Sequence, residues 1–193
     1  MVRACGVDLA VSRRRCTGYA VVDDEGGSLT LRKLKCLHSS EEVIEEVATD
    51  SPDVVAVDAP LSGGGRVREV ERAMWRSGFK VLPPSMPGMR ELARAGEALA
   101  KALRSAGFKV VETHPKSALR SSGVSSFGEL LKAFHVSLGA YAEELSSSKD
   151  LRDALISALV AYCVVRGCAE GIAGGNDVIY ILKPVGRARC GSR

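Results

Sequence analysis

Three short apolar runs in this chain each end in a carboxylate. Gly6-Val7 leads into Asp8, Val54-Val55-Ala56-Val57 into Asp58, and Val110-Val111 into Glu112. Continuous apolar runs of this length suit strands buried on both faces, as in a parallel sheet covered by helices. An ionised carboxylate at the end of such a strand is costly unless a cation or hydrogen-bond donors stand beside it. One acid of this kind is explained by a loop cap; three at equivalent positions point to a common use along one sheet edge. In such sheets functional groups gather beyond the carboxyl ends of the parallel strands.

The flanking segments fit that sheet. Val2 to Leu9, Thr17 to Val22 and Ser28 to Leu37 read as strands, and Asp23-Asp24-Glu25-Gly26-Gly27 supplies a turn, giving an antiparallel meander. Ser39, with Glu41 and Glu42 behind it, opens a helix running to about Thr49. The strand ending at Asp58 therefore follows a crossover and is expected to lie parallel to the first or third strand. Gly63-Gly64-Gly65 reads as a flexible loop, Arg66 to Arg76 as a helix, and Pro83, Pro84 and Pro87 as irregular backbone. A helix from Met89 to Ser105 stops at Gly107, and a fifth strand covers Phe108 to Glu112. Helices over Ser126 to Leu145 and Ser148 to Arg166 and a strand over Asp177 to Leu182 complete the pattern. The expected fold is α/β: a mixed sheet, built from a three-strand meander plus parallel strands and flanked by helices, in one domain spanning residues 1–193.

A fourth acidic contribution comes from the helix near the C-terminus. After Asp153 it is apolar on almost every side, so it is expected to be buried. Asp150 and Asp153 share one face with the small residues Ala154 and Ser157, leaving room for an ion or a phosphate. Ser147 stands at capping-box spacing from Asp150, and an acid in a first helical turn is favourable by itself. Asp153 lies beyond that turn and is the stronger metal candidate. Asp8, Asp58 and Asp153 are expected to converge within reach of a shared ion. Carboxylate sites suit Mg2+ or Mn2+, and two such ions roughly 4 Å apart can activate water for an in-line displacement at phosphorus.

Hydrophobic residues at 46%, charged residues at 26% and a net charge of +4 describe a globular chain that tolerates a polyanionic partner without requiring one. No apolar run is long enough to span a membrane and the N-terminus lacks a signal-peptide layout, so a cytoplasmic protein is expected. Cys5, Cys16, Cys36, Cys163, Cys168 and Cys190 form no zinc spacing and read as buried thiols. Arg13, Arg14 and Arg15 follow the Asp8 strand, and Lys116 and Arg120 follow Glu112, so these cations are candidates for holding phosphate. Arg66, Arg68, Arg72 and Arg76 read as a solvated helix face. His114 is either a ligand near Glu112 or a loop residue with a structural hydrogen bond. Aromatics are 5% of the chain, too few for a base-stacking platform.

In order, Gly6-Val7-Asp8-Leu9-Ala10 with Gly18, Val57-Asp58-Ala59-Pro60-Leu61-Ser62, Arg76-x-Gly78, Val111-Glu112-Thr113-His114-Pro115 and Asp153-Ala154 resemble the predicted RNase H-like nucleases, a domain family of unknown function. The resemblance covers nearly the whole chain. It implies a ribonuclease H-like fold and makes Asp8, Asp58, Glu112 and Asp153 the metal-binding acids. The Asp150-x-x-Asp153 pair is similar to the C-terminal acid pair of Holliday-junction resolvases. The expected function is a metal-dependent nuclease with Asp8, Asp58 and Asp153 at the metal. Glu112 and Asp150 would complete the shell or orient water, and a nucleic acid would be the partner. The alternatives are a phosphotransferase related to the actin and sugar-kinase fold, and a non-catalytic binding protein that keeps the acids for stability.

Overall fold

The computed structural model describes residues 1–12 and 15–186. Its strands are β1 (Arg3–Asp8), β2 (Thr17–Glu25), β3 (Ser28–Leu37), β4 (Val54–Asp58), β5 (Val110–Thr113), β6 (Val136–Ser137), β7 (Ala169–Gly174) and β8 (Asp177–Leu182). They form one mixed sheet in the order β6-β3-β2-β1-β4-β5-β8-β7. The meander β1-β2-β3 is antiparallel, and β4 lies parallel to β1. From there β5 runs parallel to β4, and β8 parallel to β5. The helices are α1 (Ser40–Asp50), α2 (Glu69–Arg76), α3 (Met89–Ser105), α4 (Pro115–Ser121), α5 (Phe127–Ala133), α6 (Ala142–Ser147) and α7 (Lys149–Arg166).

Alternation along β1 and β4 divides the core into two layers. Val7 and Val57 pack with Val43 and Val47 of α1 and Leu99 and Leu103 of α3. Ala4 and Ala56 join the other layer, whose centre is the apolar length of α7. On that face the sheet is nearly smooth. A Cβ at Gly6 would stand 2.1 Å from the Ala154 carbonyl oxygen, and one at Gly18 would stand 2.3 Å from that of Asp150. The two glycines therefore let the N-terminal half of α7 rest directly on β1 and β2. No helix among the described residues is long and apolar enough to cross a membrane.

Several sequence expectations needed correction. The helix expected over Ser126 to Leu145 breaks after α5, where His135 takes a left-handed φ of 49° and Val136 pairs with Leu29 at the sheet edge. Tertiary strand pairing there overrides a continuous helical pattern. Gly63–Gly65 forms a 3-10 turn, α2 begins at Glu69 rather than near Arg66, and α4 and β7 had not been foreseen. The cap of α7 is Ser148, whose side chain accepts from Leu151 N–H, while Ser147 bonds back to Glu144.

The cysteines also depart from expectation. Cys16 and Cys36 are disulfide-bonded across the open end of the β2-β3 hairpin, with Cα atoms 5.2 Å apart. Cys163 and Cys168 are bonded across the end of α7, where the left-handed Gly167 turns the chain back and brings the Cα atoms to 4.5 Å. Both separations suit the bond. Cys5 is a buried free thiol, and Cys190 lies outside the described residues.

Candidate active site

Parallel pairing of β1 with β4 sets Asp8 directly beside Asp58, on the face that α7 covers. The contacts at Gly6 and Gly18 press the first turns of α7 onto the same edge, bringing Asp150 and Asp153 toward the pair. Asp8 has its pKa pushed up to about 7, by burial first and then by the charges of Asp153 and Asp150, against partial relief from Lys149 and Arg15. Burial, followed by the charges of Asp8 and Asp153, holds Asp58 well above the ordinary carboxylate range. Four acids thus share one electrostatic neighbourhood, and two of them resist ionisation. Such displaced carboxylates mark candidate functional sites.

The two acids of α7 are occupied. Asp153 is ion-paired with Lys149 one turn earlier, and Asp150 is paired with Arg15. Both cations are mostly exposed, Lys149 at 71% and Arg15 at 59% of the side chain. Exposed pairs of this type contribute about 0–1 kcal/mol, so they are easily exchanged for a stronger partner. The expected convergence of Asp8, Asp58 and Asp153 is therefore incomplete. Among the described residues no three His, Cys, Asp or Glu side chains are set to hold a metal ion as they stand. The donor chemistry still fits a hard divalent cation: the acids offer oxygen only, and the groups competing for them are weakly held.

Glu112 shares the cavity lining with Asp8 and Asp58, and its charge adds to the rise at Asp58, but its carboxylate is already engaged. The strand β5 runs one residue further than expected, to Thr113, and Glu112 is in register with Val57 rather than Asp58. Its carboxylate reaches the start of α2. There both carboxylate oxygens accept from Arg68, at 2.6 and 2.9 Å, and Leu61 N–H donates at 2.9 Å. Arg68 also binds Glu71 and donates to Ser62 Oγ at 3.1 Å, and Ser62 in turn donates to Asp177 at 2.6 Å. Arg68 is thus a buried residue at the centre of a polar cluster, not part of a solvated face. Sequence reasoning missed it because a single arginine near a helix start carries no signal of its partner 44 residues away.

A cavity of about 220 Å³ opens at this edge, lined by Asp8, Asp58, Arg15, Lys149, Glu112 and His114 among others. Its far wall is apolar and includes Leu82 and Met89 from the proline-rich segment and its end. Of the expected phosphate-holding residues, Arg15 lines the cavity, whereas Arg13 and Arg14 lie outside the described residues. Arg120 is committed elsewhere, donating to the Gly78 carbonyl and lying over the Phe79 ring. Lys116 is exposed and does not line the cavity. His114 caps α4 with its side chain, and its pKa is lowered to about 4 by burial first; Asp153 opposes the shift, and Lys116 and Lys149 add to it.

No family model matches the chain, and no curated protein matches it. Solved structures do. The RuvC protein of Thermus thermophilus, in complex with a Holliday junction substrate, is 18% identical, with a TM-score of 0.57 over 86% of this chain and 97% of that one. A second Thermus thermophilus RuvC structure gives 18% identity and a TM-score of 0.56 over the same shares. At that identity the likeness shows the fold alone: a RuvC-like mixed sheet flanked by helices.

Proposed function

We propose that the chain is a divalent-metal-dependent nuclease that cleaves phosphodiester bonds in structured nucleic acid. The observation that carries the reading is the in-register placement of Asp8 beside Asp58 at the carboxyl edge, under the acid-bearing start of α7. The RuvC fold, seen with a Holliday junction in one relative, makes a branched duplex the first substrate to try. In this reading Asp8, Asp58 and Asp153 hold Mg2+ or Mn2+ and Asp150 completes the shell. The cation, when bound, supplies Lewis-acid activation of water and neutralises charge on the phosphate.

The chain's own residues prepare that chemistry. Burial and mutual repulsion hold the carboxyl groups of Asp8 and Asp58 above the ordinary range, so a bound cation would displace protons from this pair. Asp153 and Asp150 would hold the cation in place of Lys149 and Arg15, two residues that line the cavity and whose side chains would then be available to phosphate oxygens. Glu112 is assigned a supporting role: with Arg68 it fixes the loop after β4 through Leu61.

The test is cleavage of labelled single strands, duplexes, RNA–DNA hybrids and four-way junctions in magnesium, in manganese and in chelator. Activity that needs the cation and disappears in both Asp8→Asn and Asp58→Asn is expected. If no substrate is cut or bound while a nucleotide or sugar phosphate raises the melting temperature, the phosphotransferase reading replaces this one.

A further inference from the structure

The cavity is rich in acceptors and short of free donors. Its ionised carboxylates are acceptors only, as is a phosphodiester. Before a cation binds, Lys149 and Arg15 are paired with Asp153 and Asp150, and Thr113 Oγ1, on a lining residue, donates to the Tyr180 carbonyl. His114 is different. Its Nδ1 accepts from the Ser117 N–H at 3.3 Å, as the cap of α4, and stands 2.7 Å from Ser117 Oγ. A ring nitrogen that accepts a backbone N–H carries no proton, so the imidazole proton is on Nε2. No hydrogen bond of Nε2 is found among the described residues, and it is not among the sealed, unpartnered polar atoms, although His114 lines the cavity.

We propose that His114, held in its Nε2–H tautomer by the α4 cap, is the residue that orients the nucleic-acid phosphate at the Asp8–Asp58 edge, by donating Nε2–H to a non-bridging oxygen. The inference rests on the nuclease reading and deepens it. A neutral donor suits this position. Imidazolium would repel a cation held by the acids, and protonating Nδ1 would break the cap. The cap thus makes one residue do two jobs, fixing the start of α4 and aiming a donor from the end of β5.

The two ring nitrogens can be separated by substitution. Asn places its amide oxygen near the Nδ1 position and keeps the cap but loses the outer donor; Gln places its amide nitrogen near Nε2 and loses the cap. The probe is a fluorescein-labelled four-way DNA junction in calcium buffer, titrated with the full chain. His114→Asn is expected to melt within about 2 °C of wild type and to bind about 10-fold more weakly. His114→Gln is expected to melt lower yet bind within about 3-fold of wild type. Independently, a long-range proton–nitrogen NMR spectrum should show the neutral Nε2–H tautomer, with that resonance moving when the junction is added. Wild-type binding that His114→Asn leaves unchanged, or an Nδ1–H tautomer, overturns this inference alone. Absence of any junction binding by the wild type overturns it together with the nuclease reading.

Discussion

Gly6→Ala tests how far the site depends on the close approach of α7 to β1. The added Cβ would stand 2.1 Å from the Ala154 carbonyl oxygen, 2.2 Å from the Ala158 amide nitrogen and 2.8 Å from the Ser157 carbonyl carbon. All three obstacles are backbone atoms inside a helix and cannot rotate away. Relief to an ordinary contact requires α7 to retreat by about 1.3 Å, and a gap of about 1 Å already forfeits up to half of each local dispersion contact. Overpacking of a core costs about 1–3 kcal/mol, and a rigid obstacle puts this site at the upper end. In a chain of this size, a loss near 3 kcal/mol lowers the melting temperature by roughly 6–12 °C. Urea and thermal melts of Gly6→Ala should be run beside Gly128→Ala on α5, where an added Cβ meets nothing within 4 Å and replacing a helical glycine stabilises by about 0.5–1 kcal/mol. Equal stabilities for Gly6→Ala and wild type, within about 0.5 kcal/mol, would refute the packing argument.

The raised pKa of Asp8, about 7, means that in chelator the native state binds more protons than the unfolded chain between about pH 4 and pH 7. Stability should therefore fall as pH rises through that window, and Asp8→Asn should flatten the slope and gain roughly 2–4 kcal/mol at neutral pH; parallel urea midpoints from pH 4 to pH 8 would contradict this. Magnesium at 100 times its dissociation constant should add about 2.7 kcal/mol to the wild type, and an equal gain in Asp8→Asn/Asp58→Asn would place the ion elsewhere. Arg68→Met leaves Glu71 and Glu112 buried without their shared cation and should cost about 3–5 kcal/mol, partly recovered by adding Glu112→Gln. A loss below about 1 kcal/mol would show that the cluster contributes little.

The strands that carry Asp8 and Asp58 were legible because buried parallel strands write themselves as unbroken apolar runs, and α7 was legible because it is apolar all round. Glu112 was misplaced by a single residue. Apolar runs mark a strand but not its register with neighbours, and here Glu112 aligns with Val57 while Arg68, 44 residues away, takes its carboxylate. The hairpin partner β7, Ala169-Glu170-Gly171-Ile172-Ala173-Gly174, has few β-forming residues and is a strand because β8 pairs with it. The two disulfides escaped because neither spacing is distinctive until the β2-β3 register and the turn at Gly167 are known. Lys149 and Arg15 as partners of the α7 acids were equally invisible, since one pair spans 135 residues and the other is an ordinary helical spacing.

The cluster around Arg68 also bears on when the site comes into being as the chain leaves the ribosome. Ser62, Arg68 and Glu112 emerge well before Asp177, and α7 with its two acids also follows β5. Until β8 docks, a guanidinium that ends up buried stays hydrated, since stripping its water without the full set of partners is strongly unfavourable. A nascent chain that has released residues 1–113 holds Asp8 and Asp58 with no helix above them. Completion of the acidic edge is thereby tied to the release of α7 and β8. Pulse-labelled hydrogen exchange on ribosome-bound chains of increasing length would show protection of β1 and β4 arriving together with β8; earlier full protection would break that link.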